Sequence, residues 1–68
     1  MIQYIVTQSM SRERTIYGIA VINDCVELDR LPDIAMTLED ATRLAALLQT
    51  HGVAAEHFRD VVEDHLLE

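Results

Sequence analysis

The chain has 68 residues, one cysteine, no lysine and a formal net charge of −7. That length predicts a single domain, 1–68, close to the smallest size at which a hydrophobic core sustains itself without disulfides, metals or a partner. Without lysine there is no Schiff base and no phosphate-binding P-loop, the negative charge argues against a nucleic-acid backbone, and no apolar run approaches the roughly 20 residues of a membrane span.

Ile2 to Thr7 carries β-branched and aromatic residues in an alternating order and reads as a first strand, with Ile2, Tyr4 and Val6 on one face and Gln3, Ile5 and Thr7 on the other. This opening lacks the basic start and small-residue cleavage site of a signal peptide, so a cytoplasmic location is expected. Gln8 to Arg14 has no apolar period and predicts a solvated connection with a mobile tip. Thr15 to Ile22 is apolar on both faces, as a central strand requires, and Gly18 within it marks a bulge or a close backbone approach.

Asn23-Asp24 predicts a two-residue hairpin turn into a third strand, Cys25 to Arg30, ended by Pro32. In that register Val21 lies opposite Val26 and Ile19 opposite Leu28 on a core face, and Ile34 drops back onto the core. Thr37 is placed to cap a first helix, with Asp40 in the capping-box position and Met36 stapled to Ala41. Ala41, Leu44, Ala45 and Leu48 form its apolar stripe, and Gly52 ends it. The second helix begins at Ala54 without a capping side chain, Val53 stapling onto Phe58, and its expected buried stripe is Phe58, Val61, Val62, His65 and Leu66. The predicted fold is therefore α+β: a three-stranded antiparallel β-meander followed by an αα-hairpin packed on one face of the sheet.

Tyr17-Gly18-Ile19, Asp33-Ile34 and the run from His57 to Asp64, His-Phe-Arg-Asp-Val-Val-Glu-Asp, resemble an uncharacterised group of small Gram-positive bacterial proteins, domain of unknown function family 6514. The similarity covers most of the chain between Tyr17 and Leu66. The family often opens its last helix with Ser-Pro, where this chain has Ala54-Ala55, and carries an aromatic near His65. The resemblance implies a small bacterial cytosolic domain and brings no assigned activity.

No residue set assembles a catalytic site, and none is assigned to a cofactor or a metal. His57, Asp60 and Asp64, with Glu56 and Glu63, stand at helical spacing but match no ligand motif and lack a second cluster on the first helix; a solvated acidic face explains them better. His51 suits a helix C-terminus, and His65 on the apolar stripe is expected to be an interior or boundary histidine. Cys25 has no partner for a disulfide and no neighbouring cation in sequence, while Ser9 and Ser11 lack the glycines of a nucleophile elbow.

The expected function is a non-enzymatic protein-interaction module that uses the sheet face opposite the helices, with Ile16, Ala20, Ile22 and Cys25 as partner-binding residues, joined by Ile5 and rimmed by Glu27 and Asp29. The partner is another protein or a second copy in a homodimer, with neither nucleic acid nor membrane involved. Two alternatives rest on the acidic second half, where two arginines face eight acids after Pro32. One is a metal-binding or enzyme-associated accessory domain, the other an acidic mimic of nucleic acid.

Overall fold

A computed structural model describes residues 1–66. Three antiparallel strands, β1 (Ile2–Ser11), β2 (Arg14–Asn23) and β3 (Val26–Ala35), lie in sequence order across one open sheet. Two helices follow, α1 (Leu38–Thr50) and α2 (Phe58–Leu66), the second entered through a 3₁₀ turn at Ala55–His57. Both pack on one face of the sheet, giving the α+β architecture expected.

The core forms where the apolar stripes of two strands and two helices meet. Tyr4 from β1 and Ile19 and Val21 from β2 pack against Leu44, Ala45 and Leu48 of α1 and Phe58 and Val62 of α2. The Tyr4 and Phe58 rings are 5.7 Å apart and tilted by 42°, an offset geometry that favours aromatic pairs. Burial raises the pKa of the Tyr4 phenol, whose hydroxyl donates to the Val53 carbonyl and so ties β1 to the link between the helices.

Both ends of α1 follow from local chemistry. The Thr37 hydroxyl accepts a hydrogen bond from the Asp40 amide at 3.2 Å, as its capping role requires. At the other end Val53 N–H reaches the Leu48 carbonyl and Gly52 N–H the Gln49 carbonyl, both at 3.2 Å, with Gly52 at φ +60°. These two bonds are the Schellman pattern, and the positive φ explains the glycine. Ala54 supplies no side-chain cap, and the second helix accordingly starts as a 3₁₀ turn. His65 and Leu66, at the end of α2, lie beside Asp40 and Arg43, near the start of α1, so the helices run antiparallel.

Four expectations need correction. The segment Gln8 to Arg14 is not a loose connection: β1 continues to Ser11, and Arg12-Glu13 alone make the turn, with φ of 50° and 66°. This end of the hairpin projects past the core, so both faces are wet and no apolar period appears. The second turn is Asp24-Cys25, φ 50° and 68°, one residue later than the sequence suggested, and Asn23 pairs with Val26 instead. Ile19 therefore faces Leu31 rather than Leu28, while Val26 and Leu28 are 60% and 47% exposed.

The slip comes with a bulge. Between the pairs Ile22–Glu27 and Val21–Asp29, β3 spends one more residue than β2, and Leu28 is that residue. A larger irregularity follows between Ile19–Leu31 and Tyr17–Ala35, where β3 runs on through Pro32 instead of ending before it. Here β3 crosses directly over Gly18: a Cβ at that position would lie 2.1 Å from the Leu31 carbonyl oxygen and 2.6 Å from Pro32 backbone atoms. The close backbone approach expected of Gly18 is thus present. Lastly, His65 is exposed rather than interior, and Leu66 is half-exposed; only Phe58 and Val62 of the expected second stripe are fully buried.

Candidate functional site: the open sheet face and its edge

The antiparallel register sorts side chains between two faces. Ile2, Tyr4 and Val6 point with Ile19 and Val21 toward the helices, so Ile5 and Thr7 on β1 and Ile16, Ala20 and Ile22 on β2 point away. Ile16, Ala20 and Ile22 thus occupy the face assigned to them. They are not equally accessible. Ala20, between Ile5 on one side and Arg30 on the other, is only 1% exposed, whereas Ile5 is 42% exposed and Ile16 and Ile22 are half-buried. The accessible apolar patch is Ile5 with Ile22 over an Ala20 floor; Ile16 lies beyond Gly18, toward a shallow hollow bordered by Arg12, Arg14 and Asp33.

Cys25 does not belong to this face. The later turn makes it the second turn residue, an exposed free thiol off the strand ladder. The charged rim also differs from expectation. Glu27, opposite Ile22, and Arg30, opposite Ala20, border the open face and bond to each other at 2.7 Å. Asp29 sits on the helix side, where its carboxylate accepts two hydrogen bonds from the Arg59 guanidinium, at 2.7 and 2.8 Å. That contact, with help from the Arg30 amide, holds the Asp29 carboxyl below its ordinary pKa despite partial desolvation. It links α2 to β3.

The residues considered for metal chemistry do not converge. Glu56 and His57 fall in the 3₁₀ turn, Asp60 and Asp64 are exposed along α2, and among the described residues no group of three or more histidine, cysteine or acidic side chains is close enough to hold an ion. His51 caps the C-terminal end of α1 and is exposed.

One residue that sequence reasoning passed over matters at the sheet edge. Gln49, in the last turn of α1, accepts a hydrogen bond from the Tyr4 amide through Oε1 and donates one from Nε2 to the Ile2 carbonyl, both at 3.0 Å. Its amide thereby imitates the peptide group of a neighbouring strand. An exposed glutamine in an amphipathic helix carries no signal for such a role, which depends on how α1 docks.

No family model, no curated protein and no solved structure matches this chain. No helix among the described residues is long and apolar enough to cross a membrane.

Proposed function

We propose that the chain is a small, non-enzymatic, cytoplasmic bacterial domain that works by binding protein, and that the sheet face opposite the helices is its contact surface. The observation that carries this reading is the apolar patch of Ile5 and Ile22 over Ala20, on the face that neither helix covers. Apolar groups grouped on a surface and rimmed by polar ones, here Gln3, Thr7 and the Glu27–Arg30 pair, are the usual anatomy of a protein interface. The dispersed placement of Cys25, His51, His57 and His65, all exposed and on separate elements, supports a binding role over catalysis. The resemblance of its Tyr17-Gly18-Ile19 and His57 to Asp64 segments to family 6514 is part of the same proposal and adds no activity to it.

Site-directed photocrosslinking in cells tests it. A photoreactive side chain at Ile22 is expected to give covalent adducts of one defined protein mass, and the same group at Glu63, on the exposed side of α2, is expected to give none. Equal labelling from both positions, or none from Ile22, would sink the reading.

A further inference from the structure

The hydrogen bonds of Gln49 reveal the phase of β1. Because Tyr4 N–H and Ile2 C=O turn away from β2 to meet that amide, the alternation of an antiparallel strand sends the backbone groups of Val6, Gln8 and Met10 the same way. All ten residues of β1 pair with β2 without a register shift, so the phase holds to the end of the strand. Among the described residues, no backbone bond outside the sheet and helices uses those outward groups. The edge of β1 thus presents the Tyr4 carbonyl and the amides and carbonyls of Val6, Gln8 and Met10, unpaired and in line.

Nothing on the strand blunts this edge. From Ile2 to Ser11 it contains no charged residue, no proline and no bulge, the features by which sheet edges are normally kept from pairing. The other edge, β3, has all three: two irregularities, Pro32, and charges at Glu27, Asp29, Arg30 and Asp33. The molecule therefore has one pairable edge, and α1 reaches it only at Ile2 and Tyr4. Gln8 and Met10 remain exposed on the helix side.

We infer that this edge pairs with the same edge of a second copy, antiparallel about a two-fold axis near Thr7, to form one continuous six-stranded sheet. The inference rests on the reading of the chain as an interaction module but uses a different surface. A second copy is the occupant that fits because it brings an uncharged strand of identical length with complementary donors and acceptors, since no acid lies on β1. Centring on Thr7 sets Val6 against Gln8 of the second copy and the Tyr4 carbonyl against its Met10 amide. Every outward group that Gln49 leaves free on Tyr4, Val6 and Gln8 is then used, and Gln49 stays in place. With β3 blocked on both outer sides, assembly closes at two and cannot propagate into a fibre.

The test uses the full chain with Cys25→Ser. Sedimentation at about 100 μM is expected to give twice the chain mass. Thr7→Cys in that background is expected to form an intermolecular disulfide under mild oxidation, since facing residues of a non-hydrogen-bonded antiparallel pair lie within disulfide reach. Gln8→Pro removes an amide that β2 does not use, so it should halve the mass while the circular dichroism spectrum is retained. Gln8→Glu, which sets like charges astride the axis, should also halve it and serves if the proline variant does not fold. Monomer throughout, with no Thr7→Cys crosslink, overturns the inference. So does a dimer that survives both Gln8 variants but dissociates with Ile22→Glu, which would place the contact on the open face and leave the proposed function standing.

Discussion

The two outer strands of the sheet have the same length and the same central neighbour, yet they are built on opposite plans. β3 carries four charged residues, a proline and two departures from regular pairing, and it is fixed by a close crossing over Gly18 and by the Arg59–Asp29 contact. β1 is regular and uncharged, and a single helix side chain, Gln49, occupies part of its edge. An irregular strand is difficult to extend with another strand but needs outside contacts to hold it. A regular one pairs well within the domain and, for the same reason, remains able to pair outside it. The irregularity of β3 thus closes that edge to a further strand and leaves β1 as the regular one.

The largest expected effect comes from breaking the hold on β3. Gly18→Ala would put a methyl group 2.1 Å from the Leu31 oxygen, and because the opposing atoms are backbone, no side-chain rotation relieves the clash. β3 must move, at an expected cost of about 3 kcal/mol or more in urea unfolding, a large share of the roughly 5–15 kcal/mol available to a domain. Full stability in this variant would mean that the crossing does not constrain β3, and the contrast between the edges would lose its basis.

Next in size is removal of the device on the other edge. Gln49→Ala leaves the part-buried Tyr4 amide without its acceptor, an expected loss of about 1–3 kcal/mol. Tyr4 amide exchange should accelerate as well. Gln49→Glu keeps an acceptor for Tyr4 but loses the donor to Ile2, so it should fall between the parent and Gln49→Ala. If the three proteins exchange alike, Gln49 does not protect the edge.

A smaller effect of opposite sign is expected at the turns. Glu13 and Cys25 hold φ of 66° and 68°, a conformation that costs a side chain about 1–2 kcal/mol. Glycine relieves that cost but gives back about 0.5–1 kcal/mol through its greater freedom when unfolded. Cys25→Gly and Glu13→Gly should therefore each stabilise the domain by about 0.5–1 kcal/mol, read as a higher urea midpoint at unchanged slope. A loss of stability in either would contradict the left-handed turn assigned there.

These turns also explain where the sequence misleads. The helix signals are local and were legible: the Thr37 cap, the Ala41–Leu48 stripe and the Gly52 stop need only neighbouring residues, and each stands where its chemistry places it. The class of fold and the outward direction of Ile16, Ala20 and Ile22 follow from alternation alone. The β2–β3 register does not, because by residue type Asn23-Asp24 is the better turn, cysteine being poorly suited to positive φ, and the actual turn is settled at a distance. Leu31 and Ile34 must reach the core and Asp29 must reach Arg59, which requires the later turn together with a bulge at Leu28. A single slip of this kind exposes Val26 and Leu28 and takes Cys25 off the ladder. The role of Gln49 was hidden for a similar reason, since its partners lie 45 and 47 residues away in sequence.

The smallest effect expected concerns the tie between α2 and β3. Asp29 is held below its ordinary value of 3.8, first by the Arg59 hydrogen bonds and then by the Arg30 amide and the Arg59 charge, against partial desolvation. A carboxyl with a folded pKa below its unfolded one binds fewer protons in the native state, so its contribution to stability is complete above the unfolded value and disappears as pH falls through the folded one. The pair is largely solvent-exposed on the arginine side, where screening keeps such contacts weak. Asp29→Asn should therefore lower the melting temperature slightly at pH 7, and the gap from the parent should close as pH falls below the ordinary carboxylate value. Molar salt at pH 7 should narrow the same gap. A gap independent of both pH and salt would show that Asp29 acts through packing, and β3 would then owe its position to the Gly18 crossing and not to its charge.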